Sequence, residues 1–477
     1  MSQHIVIVGA GLAGSEAALQ LADRGYKITL LEMRPLHQTE VHTGGNAAEL
    51  VCSNSFKSTK KTSAAGILKA ELQALGSKLY SIALDTQVPA GGALAVERDR
   101  FSSQVNAALE EYPNIERIAA RAEWINAQGH LAYSTAQEEL HVIKEYDALI
   151  LATGPLTSLE FAESLQALTH KENLSFFDAA APIVMADSLN REVLFAQSRY
   201  SDTQTDYLNA PFTKEEYEHF IEELTGAKRV IAKDFETKEL FSACQPIEEI
   251  ARKGLDAPRF GPLKPVGLTN PKTGKRPWAA VQLRQEDKYG SAYNLVGFQT
   301  NLSFPEQARV FRLIPGLENA EFARFGVMHK NIFLHAPSVL TPCLRLKEEL
   351  LDEHAPPIYV AGQLSGTEGY MEAVMSGLYC ALAIAASNYE GDVSYPLLDE
   401  RSVFGALIAY ATDEHCKDYQ PMHVNFGIMP PLERRIKNKE ERYQVYADRA
   451  RASLEETLRR VAPFWNVRMA THEIRRG

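Results

Sequence analysis

Apolar runs near the start of the chain predict a strand, a helix and a second strand. Residues 4–9 (HIVIVG) form a short apolar run typical of a buried strand, and residues 12–24 are rich in Ala and Leu, as in a helix packed on a sheet. A second run, residues 27–32 (KITLLE), ends on Glu32. The three segments complete a βαβ unit, which is typical of dinucleotide-binding folds.

Two later apolar runs predict further strands of the same sheet. Residues 146–154 (YDALILATG) and 357–362 (PIYVAG) have the continuous apolar character of buried parallel strands. Residues 372–387 are small and apolar, which suits a helix lying tightly on a sheet. Between them the pattern is mixed, with a charged helical stretch at 213–224 and a Pro- and Gly-rich passage at 259–278. We interpret this part as an inserted second domain.

The first strand and helix are joined by a G-x-G-x-x-G motif, the context in which this motif indicates dinucleotide binding. Its glycines allow a tight turn, a close approach of the backbone to the pyrophosphate, and close packing of helix on strand. The helix N-terminus offers unpaired N–H groups to phosphates, and Glu32 is placed to bind a ribose hydroxyl. The predicted cofactor-binding residues of this segment are Gly9, Ala10, Gly11, Leu12, Ala13, Gly14 and Glu32.

A second glycine cluster favours FAD over NAD as the dinucleotide. Gly362, Gln363 and Gly366 follow the strand at 357–362 and precede the small-residue helix. A second helix can aim its N-terminus at an isoalloxazine ring and stabilise negative charge on the reduced flavin, whereas NAD needs no such element. The alternative is an ordinary turn before a buried helix. We predict that these three residues bind FAD.

These patterns predict an α/β protein with a Rossmann-type FAD-binding domain like that of glutathione reductase, an inserted α+β domain and a helical C-terminal segment. The length of 477 residues exceeds what one hydrophobic core usually serves. The predicted parts are residues 1–160 and 336–395 for the FAD-binding domain, 161–335 for the inserted substrate or RNA domain, and 396–477 for the C-terminal segment.

Composition and charge narrow the function classes. Hydrophobic residues make up 45% of the chain, no basic segment precedes the first apolar run, and no apolar stretch approaches the roughly 20 residues of a membrane span. We therefore expect a cytoplasmic protein without a membrane partner. The net charge of −11 argues against general nucleic-acid affinity, although residues 433–477 hold 12 Arg and Lys against 7 Asp and Glu. The alternative is a solvated helix whose inner face comprises Ile436, Tyr443, Ala447, Ala450, Leu454 and Val461.

The five cysteines indicate neither a disulfide framework nor a metal site. Their number is odd, there is no CxxC pair, and no two have zinc-ligand spacing. Cys52 lies among Ser, Asn and Lys, a setting that favours a reactive thiol, and Cys244 lies two residues before Pro246, which could start a helix. Both are candidate nucleophiles, and the alternative is that they are inert buried cysteines.

Seven long and unusual segments are spread over nearly the whole chain: VPAGGALAVERDRF (88–101), FFDAAAPIV (176–184), FGPLKPVGL (260–268), VQLRQED (281–287), LVGFQTNL (295–302), LIPGLENAEFARFGVMHKN (313–331) and QPMHVNFGIMPPL (420–432). Together they resemble the folate- and FAD-dependent tRNA uracil-5-methyltransferases. The sequence departs from the family pattern at two places: Ala243 and Gln245 stand where the family more commonly has Gly and Met, and the approach to the first cysteine is longer at 42–46. Both leave open whether tRNA or ribosomal RNA is modified.

The resemblance implies a flavin that passes a methylene group from methylenetetrahydrofolate to C5 of a uridine, with NADPH or NADH as reductant, giving 5-methyluridine in the T-loop of tRNA. A thiolate adds at uracil C6 to activate C5, and a base then removes the C5 proton. The two family cysteines correspond to Cys52 and Cys244. We take Cys244 as the nucleophile and Cys52 as the proton acceptor or second thiol, with the exchanged roles open. Tyr370 matches an aromatic residue beside the flavin, and core packing is its alternative.

Two other function classes fit parts of the sequence. A flavin oxidoreductase acting on a small molecule would need only the glycine clusters, and an RNA-binding or assembly protein would hold FAD as a structural ligand. The absence of a second G-x-G-x-x-G motif indicates that NADPH or NADH would dock transiently at the flavin. The sequence does not indicate an oligomeric state. For an RNA substrate, we expect phosphate contacts from the C-terminal arginines and from Lys264, Lys272, Lys275, Arg276 and Arg284.

Overall fold

The computed structural model describes residues 3–39, 41–42, 44–172, 174–201, 203, 205–231, 245–393, 395–416 and 419–465. Its α-helices are α1 (Leu12–Ala22), α2 (Ala64–Ala74), α3 (Lys78–Asp85), α4 (Arg98–Glu110), α5 (Leu159–Thr169), α6 (Lys214–Gly226), α7 (Ile247–Arg252), α8 (Ala257–Phe260), α9 (Phe304–Phe311), α10 (Ala336–Val339), α11 (Tyr370–Ser387), α12 (Val403–Ala411) and α13 (Lys439–Val461).

The strands are mostly short. They are β1 (His4–Val8), β2 (Lys27–Glu32), β3 (Ser55–Ser58), β4 (Gln87–Val88), β5 (Ala93–Val96), β6 (Ile115–Ala119), β7 (Arg121–Ile125), β8 (Leu131–Ser134), β9 (Leu140–Ile143), β10 (Ala148–Leu151), β11 (Leu174–Ala179), β12 (Ile183–Met185), β13 (Phe195–Ala196), β14 (Tyr207–Phe212), β15 (Ala279–Gln285), β16 (Ala292–Leu295), β17 (Phe322–Arg324), β18 (Met328–Phe333) and β19 (Ile358–Val360).

A parallel sheet in the order β19–β10–β1–β2–β6 forms the centre of the first core. In the central strand, Val8 lies opposite Leu31 on one side and Leu151 on the other. Strands β1 and β10 are almost wholly buried, which explains their continuous apolar sequences. The predicted Rossmann-type unit and the later return of the chain to its sheet are therefore confirmed.

Helices α1 and α11 pack against each other. Every residue of α1 is buried, and α11 is buried from Met371 to Ala386. Gly377 permits this close packing, because a Cβ atom there would lie 2.1 Å from the Ala13 carbonyl oxygen. The helix α11 is long and apolar enough to cross a membrane, contrary to the expectation that the chain has no such segment. However, 89% of α11 is buried inside the protein. This burial is that of a core helix.

A second core surrounds an antiparallel sheet in the order β13–β14–β15–β16–β12–β17, with α6, α7 and α9 packed on it. The chain enters and leaves this core through β11 and β18, which pair antiparallel with each other. The predicted domain boundary at residue 160 falls inside α5. Phe161 and Leu165 of that helix pack in the first core, and the residues of the second core lie between Ala181 and Ala320.

The C-terminal helices α12 and α13 pack on the first core beside α2. Buried Glu71 of α2 accepts hydrogen bonds from the first two N–H groups of α12, at 2.9 and 3.2 Å, and burial raises its pKa to about 7. Trp465 is fully buried, with the Arg24 guanidinium 3.4 Å from its ring. Of the inner face predicted from the spacing, Ala447, Ala450, Leu454 and Val461 are buried on α13 and Ile436 is buried before the helix, whereas Tyr443 is half-buried.

Candidate active site

The first glycine cluster has the geometry of a phosphate-binding turn. Gly9 has φ +100°, and a Cβ atom there would lie 2.4 Å from the Ala152 carbonyl oxygen, so only glycine fits. A Cβ atom on Gly14 would lie 1.8 Å from the Gly9 carbonyl oxygen. Gly11 instead faces open space and precedes α1 as its N-cap residue, without a side-chain hydrogen bond to the helix. Free N–H groups and open space at this helix N-terminus suit a pyrophosphate.

Glu32 lines the adjoining cavity with Gly9 and Thr153. One of its carboxylate oxygens accepts from the Ala10 N–H at 2.7 Å, and the other accepts from Arg34 Nε at 2.8 Å. Burial opposes ionisation of Glu32, but Arg34 and the backbone donors outweigh burial and lower its pKa. The carboxylate retains lone pairs for a ribose hydroxyl. The cradle therefore fits the adenosine diphosphate half of FAD.

The second glycine cluster lies against the first. A Cβ atom on Gly362 would be 3.2 Å from the Cβ of Ala13, and the Gly362 N–H donates to Ser376 Oγ at 2.6 Å. Gly362 and Gly366 have φ values of +74° and +82°, the left-handed region that favours glycine. Gln363, between them, donates to Glu368. The structure thus brings the two predicted glycine clusters together at the N-terminal ends of α1 and α11.

Arginines from both cores hold residues 50–54, which we call the Cys52 loop. Arg98, on α4, donates to two backbone carbonyl oxygens of the loop, at 2.6 and 3.0 Å. Arg284, on β15, donates to two side-chain oxygens of the loop, both at 2.8 Å. Arg324, at the end of β17, donates to a third backbone carbonyl oxygen. Because Arg284 and Arg324 belong to the second core, the position of the loop depends on how the two cores dock.

The expectation that Arg284 contacts RNA phosphates is wrong. Only 5% of its surface is exposed, and its guanidinium is occupied by the Cys52 loop. A buried guanidinium is tolerated only where its N–H groups find such partners. Lys272, Lys275 and Arg276, in contrast, are exposed.

The predicted catalytic residues Cys52 and Tyr370 meet in the structure. The Cys52 N–H donates to Tyr370 Oη at 2.8 Å, and the ring of Tyr370 contacts Phe56 edge-on, with centroids 5.8 Å apart. Burial raises the pKa of Tyr370 well above its ordinary value, so the phenol stays neutral. The Cys52 thiol is half-buried and lies 3.7 Å from the Ala179 carbonyl oxygen. The structure therefore fixes this thiol beside the first residue of α11.

A cavity of about 180 Å³ lies beside Tyr370. The Cys52 loop and the start of α11 form part of its wall. Further lining comes from β3, from Pro155, from the paired strands β11 and β18, and from the segment before α11. These last elements contribute a group that we call the polar cluster, consisting of Asp178, His329, Asn331 and Glu368.

The polar cluster keeps hydrogen-bonding capacity unused. Within the described ranges, His329 Nδ1, Asn331 Oδ1 and Glu368 Oε2 are buried atoms without a hydrogen-bond partner. Asn331 Nδ2 lies 3.4 Å from an Asp178 carboxylate oxygen. Burial, reinforced by the charge of Asp178, raises the pKa of Glu368 to about 8. Since unpaired buried polar atoms are costly, this cluster is suited to a polar ligand.

Sequence reasoning missed the polar cluster. Asp178, His329 and Asn331 lie inside two of the segments that carry the family resemblance, but their spacing does not reveal that β11 and β18 pair, with Asp178 opposite His329. Glu368 directly precedes Gly369, and its nearness to the second glycine cluster was the only signal available.

The predicted nucleophile Cys244 lies outside the described residues. The helix that follows it, α7, starts directly after Pro246, as predicted. The N–H of Ile247 and the carboxyl group of buried Glu248 bind residues 299–301 at distances between 2.6 and 3.0 Å. Burial raises the pKa of Glu248 to about 7. The segment immediately after Cys244 is therefore anchored to the second core.

Known proteins resemble this chain over most of its length. Residues 4–391 match the family described as glucose inhibited division protein A. Proteins named methylenetetrahydrofolate–tRNA-(uracil-5-)-methyltransferase TrmFO from Natranaerobius thermophilus and Dictyoglomus thermophilum are 45% and 46% identical, each covering 96% of this chain and 99% of the relative. The structure of GidA from Aquifex aeolicus superposes with a TM-score of 0.67 at 17% identity, covering 96% of this chain and 73% of that one. At that identity, the superposition shows a shared fold.

We expect Gly14→Ala to weaken binding of the predicted FAD about ten- to a hundredfold, because overpacking of this kind costs about 1–3 kcal/mol. The new Cβ atom would push α1 away from the Gly9 carbonyl oxygen and so deform the phosphate turn. Flavin absorbance per mole of purified protein measures the effect. Gly226→Ala is the control, since a Cβ atom there meets nothing within 4 Å. A Gly14→Ala protein with a full flavin complement would contradict the assignment.

Proposed function

Because this chain belongs to the family of the methylenetetrahydrofolate–tRNA-(uracil-5-)-methyltransferases, we propose that it methylates C5 of a uridine in tRNA with a carbon from methylenetetrahydrofolate. One structural observation carries the proposal. Cys52, Tyr370 and the polar cluster surround a single cavity beside the second glycine cluster. A fixed thiol, a buried polar binding site and a cofactor cradle are the components that this reaction requires.

FAD fits the two glycine clusters. The turn at 9–14 would hold the pyrophosphate, Glu32 the ribose, and Gly362, Gln363 and Gly366 the isoalloxazine end. When bound, the flavin supplies a carrier for the one-carbon unit and the hydride that completes the methyl group. The N-terminus of α11 has no side-chain cap, so its positive dipole end is available to a negatively charged ring. NADPH or NADH is the proposed source of reducing equivalents.

We assign Cys244 to the attack on uracil C6 and Cys52 to removal of the C5 proton. Addition of a thiolate at C6 makes C5 nucleophilic, so that C5 would form the new carbon–carbon bond with the methylene carbon, whose bond to its carrier nitrogen would break when hydride completes the methyl group. Loss of the C5 proton and departure of the thiolate restore the double bond. Cys52 suits the second role because the arginines and Tyr370 fix its loop.

The polar cluster suits the pterin of methylenetetrahydrofolate. A pterin edge carries an amino group and a ring N–H as donors and a carbonyl oxygen as acceptor. Asp178 offers carboxylate acceptors, Asn331 an unpaired amide oxygen, and His329 an unpaired ring nitrogen. With its pKa raised to about 8, Glu368 is protonated at neutral pH and can donate a hydrogen bond. Binding here would satisfy buried groups that otherwise remain unpaired.

The protein, incubated with FAD, methylenetetrahydrofolate, NADPH and unmodified tRNA transcript, should form 5-methyluridine, read by mass spectrometry of the digested RNA. Cys244→Ala and Cys52→Ala should each reduce methylation by at least about a thousandfold, since each removes a group that acts in the bond-making sequence. The control is Cys416→Ala, which should remain active. Cys416 is also half-buried, but it is distant in sequence from Cys52 and Cys244.

Transcripts containing 5-fluorouridine separate the two cysteine roles, because the C5 fluorine cannot leave as a proton and the thiol adduct at C6 persists. Loss of the covalent protein–RNA adduct in Cys244→Ala but not in Cys52→Ala supports our assignment, and the reverse supports the exchanged one. If the protein methylates ribosomal RNA and not tRNA, the proposed substrate is wrong and the proposed methyl-transfer reaction stands. No methylation of either RNA by FAD-loaded protein would favour an oxidoreductase or a partner-dependent protein.

The pH dependence of folate binding should report the protonation state of the Glu368 carboxyl group. Its folded pKa is raised to about 8, so the protonated carboxyl prevails below this pH and is lost above it. We expect the KM for methylenetetrahydrofolate to rise up to about tenfold per pH unit above pH 8, as the protonated fraction falls. Glu368→Gln cannot ionise and should show a flat KM over this range. An equally steep rise in the variant would contradict a binding role for the protonated carboxyl.

A further inference from the structure

A groove on the second core takes no part in the cavity at Tyr370. Its walls come from α8 and the Pro- and Gly-rich passage that follows, and it encloses about 660 Å³. We call it the basic–aromatic groove, and it is lined by Arg259, Phe260, Lys264, Val266, Arg276 and Trp278.

Aromatic side chains are exposed in and beside this groove. Phe260, the last residue of α8, has 84% of its surface exposed, and Tyr200, whose N–H binds the Gly267 carbonyl oxygen, has 70%. Trp278 is half-buried, and the Arg259 guanidinium lies 3.8 Å from its ring centroid. Exposed aromatic surface of this kind marks interaction sites. Flat rings beside cations provide stacking platforms for unpaired bases.

Positive charge is concentrated at the same place. Residues 257–278 contain five basic and no acidic residues, although the whole chain has a net charge of −11. In the part of the chain that the structure describes, neither Lys264 nor Arg276 forms an ion pair with a carboxylate, and the Lys264 ammonium lies 5.9 Å from the Tyr200 ring. Local unneutralised positive charge on an acidic protein favours an anionic partner. Together with the exposed rings, it favours single-stranded nucleic acid.

Strand β15 shows how far the groove lies from the cavity. Trp278 immediately precedes β15 at the groove, and Arg284, near the other end of the strand, holds the Cys52 loop. Six residues of extended chain span roughly 20 Å. A single nucleotide bound at the Cys52 loop cannot reach the groove over this distance, whereas a polynucleotide can contact both places. The spacing therefore matches a large RNA substrate with contacts remote from the modified base.

We propose that the basic–aromatic groove binds a segment of the tRNA substrate away from the target uridine. This proposal rests on the proposed function. Lys264 and Arg276 contact phosphates there, and Phe260 stacks on an unpaired base. The groove thereby contributes to the affinity for tRNA and leaves the chemical step to the cavity.

The phosphate contacts are tested with the Lys264→Gln, Arg276→Gln double variant of the FAD-loaded protein. Its binding of unmodified tRNA transcript is measured at several salt concentrations, with Lys144→Gln, Lys171→Gln as a control that removes the same charge from exposed sites outside the groove. Loss of two phosphate contacts should reduce the slope of log affinity against log salt by about 1.5 relative to the control. The KM for tRNA should rise about tenfold, with kcat at saturating tRNA unchanged.

Stacking is tested separately at Phe260. Phe260→Ala should weaken tRNA binding about tenfold, whereas Phe260→Trp, which keeps a flat ring, should bind like wild type. Because Phe260 is exposed, both variants are expected to fold, and an unchanged melting temperature verifies this. Equal binding by the alanine and tryptophan variants would overturn the stacking assignment.

The outcomes separate this proposal from the proposed activity. If wild type methylates tRNA and the groove variants match the control in salt slope and KM, the groove assignment is wrong and the activity stands. If the groove variants lose tRNA binding but wild type transfers no methyl group, the groove assignment stands and the activity is wrong. If the groove variants lose binding to anionic phospholipid vesicles but bind tRNA like the control, the groove is a membrane-facing surface and the proposal is overturned.

Discussion

The candidate site depends on the arginines that hold the Cys52 loop between the two cores. Arg98 is nearly buried and pairs with Glu286 at 2.6 Å while it binds two carbonyl oxygens of the loop. Removing one partner from such a buried arrangement costs about 3–5 kcal/mol, because a charge is left uncompensated. Since Arg284 and Arg324 reach the loop from the second core, loop conformation and core docking form one cooperative feature. The docking thereby positions one part of the wall of the cavity at Tyr370, the Cys52 loop.

The first core supplies the other half of the site through its packing. Close contact between α1 and α11 brings Gly362 next to Ala13, so that the N-terminal ends of two helices converge on one region. Ligands of open parallel sheets bind at this carboxyl edge of the strands, where loops and helix N-termini gather. The β11–β18 pair then adds polar side chains at the junction of the cores. A cofactor cradle, a fixed thiol and the polar cluster are thereby combined at one place.

Sequence reasoning succeeded where a feature is local and failed where it depends on pairing between distant segments. The turn at 9–14 and Glu32 lie in one βαβ unit, so their spacing alone indicates the dinucleotide cradle. Cys52 was a candidate from its local setting and Tyr370 from family resemblance, but nothing in the chain between them indicates that they are in contact. The polar cluster was missed because Asp178 and Asn331 are 153 residues apart. Arg284 was misinterpreted because its local sequence gives no sign that β15 buries it against the Cys52 loop.

Tracing the methyl carbon tests the central claim most directly. FAD-loaded protein is supplied with methylenetetrahydrofolate labelled with ¹³C in the methylene group, together with NADPH and unmodified tRNA, and the digested RNA is examined by mass spectrometry. The account predicts 5-methyluridine one mass unit heavier than the unlabelled nucleoside, with the label in the C5 methyl group. Unlabelled 5-methyluridine, or label recovered only in small molecules with no change in the RNA, would contradict it.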